Sequence, residues 1–283
     1  MATWILNLDS DYELAAGSGY APRRAVLEKL APFVERLANT LLPAGDTLIG
    51  GHDARETAPG RVGRAWSPTP RAIAALRAAG AVPAPHPSVE VLRRVTSRAF
   101  AAALGATMPG AQFVTRVEDA LATLGSGEQP WRLKRAYGMA GRDHRIVSPG
   151  RVTDADLGFV RASIAEGGIQ IEPNVAIETE YSLHAYIEED GSTRFGALFQ
   201  QRCTQQGSWL ASVEIDEPER ERAMNTEARR AGSWLFENGY FGAFGIDAFT
   251  YRVDGRLQFQ PRSEVNARFT MGYPRALIHP LDG

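Results

Sequence analysis

"GIDAFTYRVDGRLQFQPRSEVNAR", residues 245–268, decides how this chain is read. Asp254 and Gly255, between two alternating runs, signal a two-residue hairpin turn. With that turn, Val253 faces Arg256 and Asp247 faces Arg262. Directly opposed residues share a face and side chains alternate with period two, so Asp247 shares its face with Gln258, Gln260, Arg262, Glu264 and Asn266. Leu257, Phe259 and Val265 take the other face, towards a core. Asp247 and Glu264 are then diagonal neighbours, about 7–8 Å apart between Cα atoms. Two carboxylates and an amide oxygen on adjacent strands suit a hard cation such as Mg²⁺; they suit equally a solvated polar face. Pro261 cannot donate to the ladder and marks a place for a bulge, and a bulge of one residue would turn Asp247 away from Glu264.

Upstream, "WRLKRAYGMAGRDHR" (131–145) reads as a strand followed by a glycine-containing turn. Alternation puts Leu133 on one face and Arg132 and Lys134 on the other. A lysine fixed on a strand can neutralise phosphate oxygens, and a loop with Gly138 and Gly141 can close backbone N–H groups over them. A surface strand with an ordinary loop reads the same way, because no "GK[ST]" follows the glycines. "IQIEPNVAIETEYSLHAYIE" (169–188) is an apolar run that leaves its sheet at Glu172 and Pro173 and restarts near Glu180. Such a connector exposes backbone groups to an adenine edge, with Glu180 placed for ribose hydroxyls, or it is simply an inter-lobe loop.

The remaining segments divide in two. Residues 1–86 alternate strand and helix: "WILNLD", a helix through Val26, Leu30, Val34, Leu37 and Leu41 with a kink or break at Pro32, "DTLIGG", and the helix "PRAIAALRAAG". The prolines of "VPAPHPS" (82–88) mark a boundary. Ser88 caps the next helix, "SRAFAAALG" continues or restarts it, and Thr115 with Glu118 forms a capping box for "TRVEDALATLG". Strands then dominate to the end, interrupted by one helix of about 20 residues after Pro218.

Composition narrows the partners. The chain has 283 residues, 44% apolar and 23% charged, with 31 Lys and Arg against 33 Asp and Glu. No basic field draws in nucleic acid or anionic lipid, so any anionic ligand must be held by local groups. The single Cys203 excludes an internal disulfide and is read as a packed thiol in preference to a nucleophile. "MATWILNLDSDYE" lacks a basic n-region, and no apolar run reaches the roughly 20 residues of a membrane span, so a cytoplasmic chain is expected.

Taken in order, the strand lysine with its glycine loop, the connector with Glu172 and Glu180, "GIDAF" and "DGRLQFQPRSEVNAR" resemble the nucleotide-binding part of the ATP-grasp superfamily. The resemblance spans roughly residues 87–272. It implies a small N-terminal α/β, Rossmann-like lobe over 1–86 and a two-lobed α+β ATP-grasp fold over 87–283, with lobe A at about 87–171 and lobe B at about 172–283. It implies ATP and Mg²⁺ (or Mn²⁺) as cofactors. Lys134, Arg98 and the Gly138–Gly141 loop would meet phosphates, Glu172 and Val175 the adenine, and Glu180 the ribose. Asp247, Glu264 and Asn266 would hold the metal; Arg268, with Arg202 as a second candidate, would face the reacting group. Family members commonly carry a lysine on the earlier helix, where this chain has Arg98. The expected activity is ATP-dependent joining of a carboxylate to an amine through an acyl phosphate. Small-molecule acids and amines, amino acids or peptides among them, would be the substrates, with no nucleic acid or membrane partner. A homodimer is compatible with this reading. Phosphorylation of a small-molecule hydroxyl and ATP binding without catalysis are the alternatives.

Overall fold

The computed structural model describes residues 1–50, 57–105, 107–126, 128–138, 144–203 and 209–277. The N-terminal part contains β1 (Ala2–Ile5), α1 (Ser10–Ala16), α2 (Arg24–Leu41), β2 (Thr47–Leu48), β3 (Val62–Ala65), α3 (Pro70–Ala78) and β4 (Val82–Pro83). Its four strands form one parallel sheet in the order β2-β1-β3-β4. The helix α2 runs through Pro32 without the split expected there, and it buries Leu30, Leu37 and Leu41.

A second sheet follows α4 (Val89–Thr96) and α5 (Arg98–Ala103). Its elements are β5 (Gln112–Val114), α6 (Val117–Leu124), β6 (Trp131–Arg135), β7 (His144–Val147), α7 (Asp154–Ala165) and β8 (Ile169–Pro173), and its antiparallel order is β5-β8-β6-β7. Leu133, Ile169 and Ile171 bury one face against α6 and α7. Ser88 caps α4, as expected, and Ser97 starts α5 as a separate helix. The capping box expected at Thr115 does not form: α6 begins at Val117 with Arg116 at its cap, which leaves Thr115 one residue too early. The capping box lies instead at Thr153 and Asp156, ahead of α7.

The third sheet carries β9 (Ile177–Ile187), β10 (Thr193–Cys203), β11 (Trp209–Glu214), α8 (Pro218–Glu237), β12 (Gly242–Val253) and β13 (Arg256–Asn266) in the antiparallel order β11-β10-β9-β12-β13. The helix α8 buries Met224, Ala228, Ala231 and Leu235 on one face of this sheet. Leu92, Val95, Phe100 and Ala101 of α4 and α5 join the same core, so these two helices pack with the third sheet and not only with the second. The N-terminal part is also built in: Trp4, Leu37 and Leu41 share a core with Ala243, Phe269, Tyr273 and Leu277.

The β12–β13 hairpin turns at Asp254 (φ 49°) and Gly255 (φ 76°), the left-handed pair that a tight hairpin needs. Near the turn the register is the expected one, with Val253 opposite Arg256 and Phe249 opposite Gln260. It then shifts, so that Asp247 lies opposite Glu264 and not opposite Arg262. Between these pairs one residue of β12 faces three of β13, Pro261, Arg262 and Ser263. Two extra residues preserve the period-two alternation, so Asp247 and Glu264 stay on one face and become direct neighbours. Arg262 corrects the expectation for its face. Inside the bulge it turns towards the helices, 1% exposed, donating Nε to Glu227 (2.9 Å) and Nη2 to the Gly105 carbonyl (2.8 Å). Leu257, near the hairpin tip, is exposed rather than packed on the core. Among the described residues, no helix is long and apolar enough to cross a membrane.

Candidate active site

A cleft of about 1000 Å³ opens between the second and third sheets. Lys134, Arg98, Glu172, Val175, Glu180, Asp247, Glu264, Asn266, Arg268 and Arg202 all line it. Gly138 is buried just after β6; Gly141 falls outside the described residues.

On the second sheet, Lys134 pairs across the ladder with Gln170, and Arg132 with Glu172. Lys134 Nζ reaches Glu172 Oε1 at 2.6 Å, and Gln170 Nε2 donates to Glu172 Oε2 at 2.7 Å and to Thr107 Oγ1 at 3.0 Å. The buried carboxylate is thus held by a cation and an amide, as a desolvated charge requires. Arg132 donates Nε and Nη2 to Asn174 Oδ1 at 3.2 and 3.1 Å, which fixes the connector that leads to Val175. Val175 packs on a small apolar cluster of Met108, Phe249 and Tyr251. This cluster makes an apolar patch on the wall, and a flat ring can lie against it.

Arg98, first residue of α5, joins the two sheets. Its Nη1 donates to the Arg135 carbonyl at 2.8 Å and its Nη2 to Glu264 Oε1 at 2.7 Å. Glu264 is therefore not a free carboxylate: burial pushes its acidity towards weaker, but Arg98, Lys134 and Arg268 outweigh burial and hold it below the ordinary glutamate range. Asp247 goes the other way. Burial first, then Glu264 and Glu180, push it up to about 7, although Asn266 and Gln201 donate to it. Gln201 Nε2 meets Oδ1 and Asn266 Nδ2 meets Oδ2, both at 2.9 Å. Gln201 is a site residue that alternation in β10 could have revealed, since it pairs with Glu180 across the ladder. Arg202, its neighbour, is exposed at the rim and follows the opposite phase of the strand. Cys203 is half-buried; burial, and then Glu180, push its thiol up to about 12, which suits a packed thiol and not a nucleophile.

Arg268 has a partner that sequence reading missed. Its Nε and Nη2 donate to Asp11 Oδ1 and Oδ2, both at 3.1 Å, so α1 of the N-terminal part reaches the site. Both side chains are nearly buried, at 11% and 5% exposed. Burial lowers the guanidinium's affinity for its proton, and Asp11, with Glu264 and Asp247, more than restores it. No local signal announces this pair, because its members lie 257 residues apart.

Among the described residues no three carboxylate, histidine or cysteine side chains converge as a self-sufficient metal cage. The donor set is two carboxylates and an amide. This fits a cation such as Mg²⁺, which takes one or two protein carboxylates and fills its other positions with water and phosphate oxygens. Burial, and after it the neighbouring Glu264 and Glu180, make Asp247 a weaker acid than an ordinary aspartate, and a cation beside it would favour its ionised form.

No family model matches the chain, and no curated protein matches it. Solved structures do. Pyruvate carboxylase of Rhizobium etli aligns with 95% of this chain at TM-score 0.53 and 15% identity, and the chain spans 26% of its length. N5-carboxyaminoimidazole synthetase of Staphylococcus aureus, solved with ADP, aligns with 95% at TM-score 0.51 and 14% identity, over 70% of its own length. D-alanyl-alanine synthetase A of Vibrio cholerae aligns with 94% at TM-score 0.51 and 13% identity, over 88% of its own length. At such identities the likeness is one of fold, and it agrees with the ATP-grasp fold expected over roughly residues 87–272.

Proposed function

We propose that this chain is an ATP- and Mg²⁺-dependent ligase that activates a small-molecule carboxylate as an acyl phosphate and couples it to an amine. The observation that carries the proposal is the direct opposition of Asp247 and Glu264, with Asn266, on the cleft wall facing Lys134 and Arg98. Pairs of acids that share a wall with two cations, beside an apolar ring site, suit a nucleotide triphosphate better than a neutral ligand. The solved N5-carboxyaminoimidazole synthetase, which shares the fold, holds ADP.

In this reading the adenine lies against Met108, Val175 and Phe249, and Glu180 accepts from ribose hydroxyls. Lys134 and Arg98 neutralise phosphate oxygens; each gives up part of its present ion pair, with Glu172 or Glu264, to do so. Asp247, Glu264 and Asn266 would hold the metal, whose chemistry is to screen phosphate charge and act as a Lewis acid. The γ-phosphoryl group moves to an acceptor carboxylate oxygen, ADP leaves, and the amine then attacks the acyl carbon and expels phosphate. Arg268 stabilises the negative charge on the acyl phosphate, and Asp11 fixes the plane of its guanidinium. No protein nucleophile is needed, which agrees with the inert Cys203.

The test is a trapping experiment. Enzyme, ATP, Mg²⁺, candidate acids and hydroxylamine should yield ADP and a hydroxamate. A phosphorylated product without hydroxamate would replace the ligase reading with phosphoryl transfer to a hydroxyl, and ATP binding without any ADP release would leave a binding protein.

A further inference from the structure

The five carboxylates that line the cleft are Glu172, Glu178, Glu180, Asp247 and Glu264. The lining also holds Leu8, Trp66, Trp209, Leu210 and Met271, of which Trp66 lies beside Arg268. The charges near these residues are Arg268, already paired with Asp11, Arg202 at the rim and Arg36 beside Trp209.

These apolar residues are set by backbone contacts rather than by loose packing. Leu8 follows β1 and Trp66 follows β3. In the order β2-β1-β3-β4 the chain leaves β1 towards one edge and β3 towards the other, so the crevice between them is the switch point where parallel sheets hold ligands. Trp66 donates its N–H to the Ile5 carbonyl at 2.8 Å, and its own carbonyl accepts from Phe269 N–H at 3.2 Å. Asn7 clamps the next residue from both sides, donating Nδ2 to the Ser67 carbonyl and accepting from Ser67 N–H, at 2.9 and 3.2 Å. The Arg268 guanidinium lies 5.8 Å from the Trp66 ring centre. On the third sheet, Trp209 Nε1 donates to Ser212 Oγ at 2.9 Å, and the Arg36 guanidinium of α2 lies 5.9 Å from its ring centre. Gly272, at φ +77°, brings the chain after Met271 so close that a Cβ there would run into Ser212 and lie 3.8 Å from Trp209 Nε1. Leu8, Trp66 and Met271 belong to one apolar cluster, and Trp209 of the third sheet lines the same cleft.

We propose that the acceptor is a carboxylic acid with a large apolar body, aromatic or branched aliphatic, seated against Leu8, Trp66, Trp209 and Met271 with its carboxylate towards Arg268. This rests on the ligase reading and names its substrate class. An apolar body gains by leaving water against these indole and aliphatic groups. A preset wall adds no ordering cost on binding.

Tryptophan fluorescence reads the site directly. The full chain is titrated with 3-phenylpropionate, succinate and acetate in the presence of ADP and Mg²⁺, and ADP affinity is measured in the same buffer. Phenylpropionate should bind at least tenfold more tightly than either other acid. Met271→Asp should remove most of that preference while ADP affinity and the melting temperature stay unchanged. Equal or tighter binding of succinate, or a preference that survives Met271→Asp, would overturn the inference and leave the ligase reading standing if ADP binds. Absence of ADP binding would overturn the ligase reading and the acceptor role together.

Discussion

Asp247 keeps its proton up to about pH 7 in the folded chain, whereas an unfolded aspartate releases it near about 3.9. Between those values the folded state holds a proton that the unfolded state has lost. The stability this group contributes is therefore complete below about pH 4 and disappears as the pH rises through about 7. In metal-free buffer the melting temperature of the native chain should fall between pH 5 and pH 8 relative to that of Asp247→Asn; parallel curves would show that the aspartate is not strained. Glu264 is expected to matter for chemistry instead. Glu264→Gln keeps the shape but removes a charge that Arg98, Lys134 and Arg268 surround, and should lower turnover by about 100-fold or more at unchanged fold. An unchanged rate would exclude it from the reacting centre. At this scale the sequence showed which residues carry charge and alternate, and so Lys134, Glu172, Asp247 and Glu264 could be singled out. It did not show Gln170 or Asp11, because their importance comes only from the partner that the fold brings within 3.1 Å.

The decisive element is the β12–β13 hairpin. Its turn was legible, since Asp254-Gly255 meets a requirement for left-handed backbone that few residue pairs meet. Pro261 was rightly suspect, but the ladder takes in two extra residues and not one, so the faces survive and Asp247 meets Glu264 head-on. Local sequence marks where a ladder breaks and says little about how many residues the break absorbs, because Arg262 chooses its side by finding Glu227 and two helix-end carbonyls. The same distinction holds for capping. Thr115 and Thr153 both precede acidic residues by three, yet only Thr153 sits at a helix start and exchanges bonds with Asp156. Thr153→Ala should cost about 1 kcal/mol in urea unfolding, and Thr115→Ala close to nothing. Equal losses would place both caps on the same footing.

At the scale of the whole molecule, the N-terminal part works as a wall of the cleft. Leu14 of α1 enters the core of the third sheet, Trp4 packs edge-on to Phe269, and Asp11 grips Arg268. Removing one partner of such a nearly buried pair leaves the other uncompensated, so Asp11→Asn should destabilise the chain by on the order of 3 kcal/mol. It should also weaken acceptor binding while ADP affinity holds; loss of ADP affinity to the same degree would mean that the N-terminal part shapes the whole cleft. By itself the sequence determined the class of each segment, the hairpin, and a set of charged residues suited to nucleotide and metal, because periodicity, turn chemistry and charge are local properties. Only the tertiary structure decided that α4 and α5 pack with the third sheet, that Arg268 answers to Asp11, and that Trp66 and Trp209 line one cleft. Those pairings join residues far apart in the chain, and their energy exists only when packing has excluded water from between them.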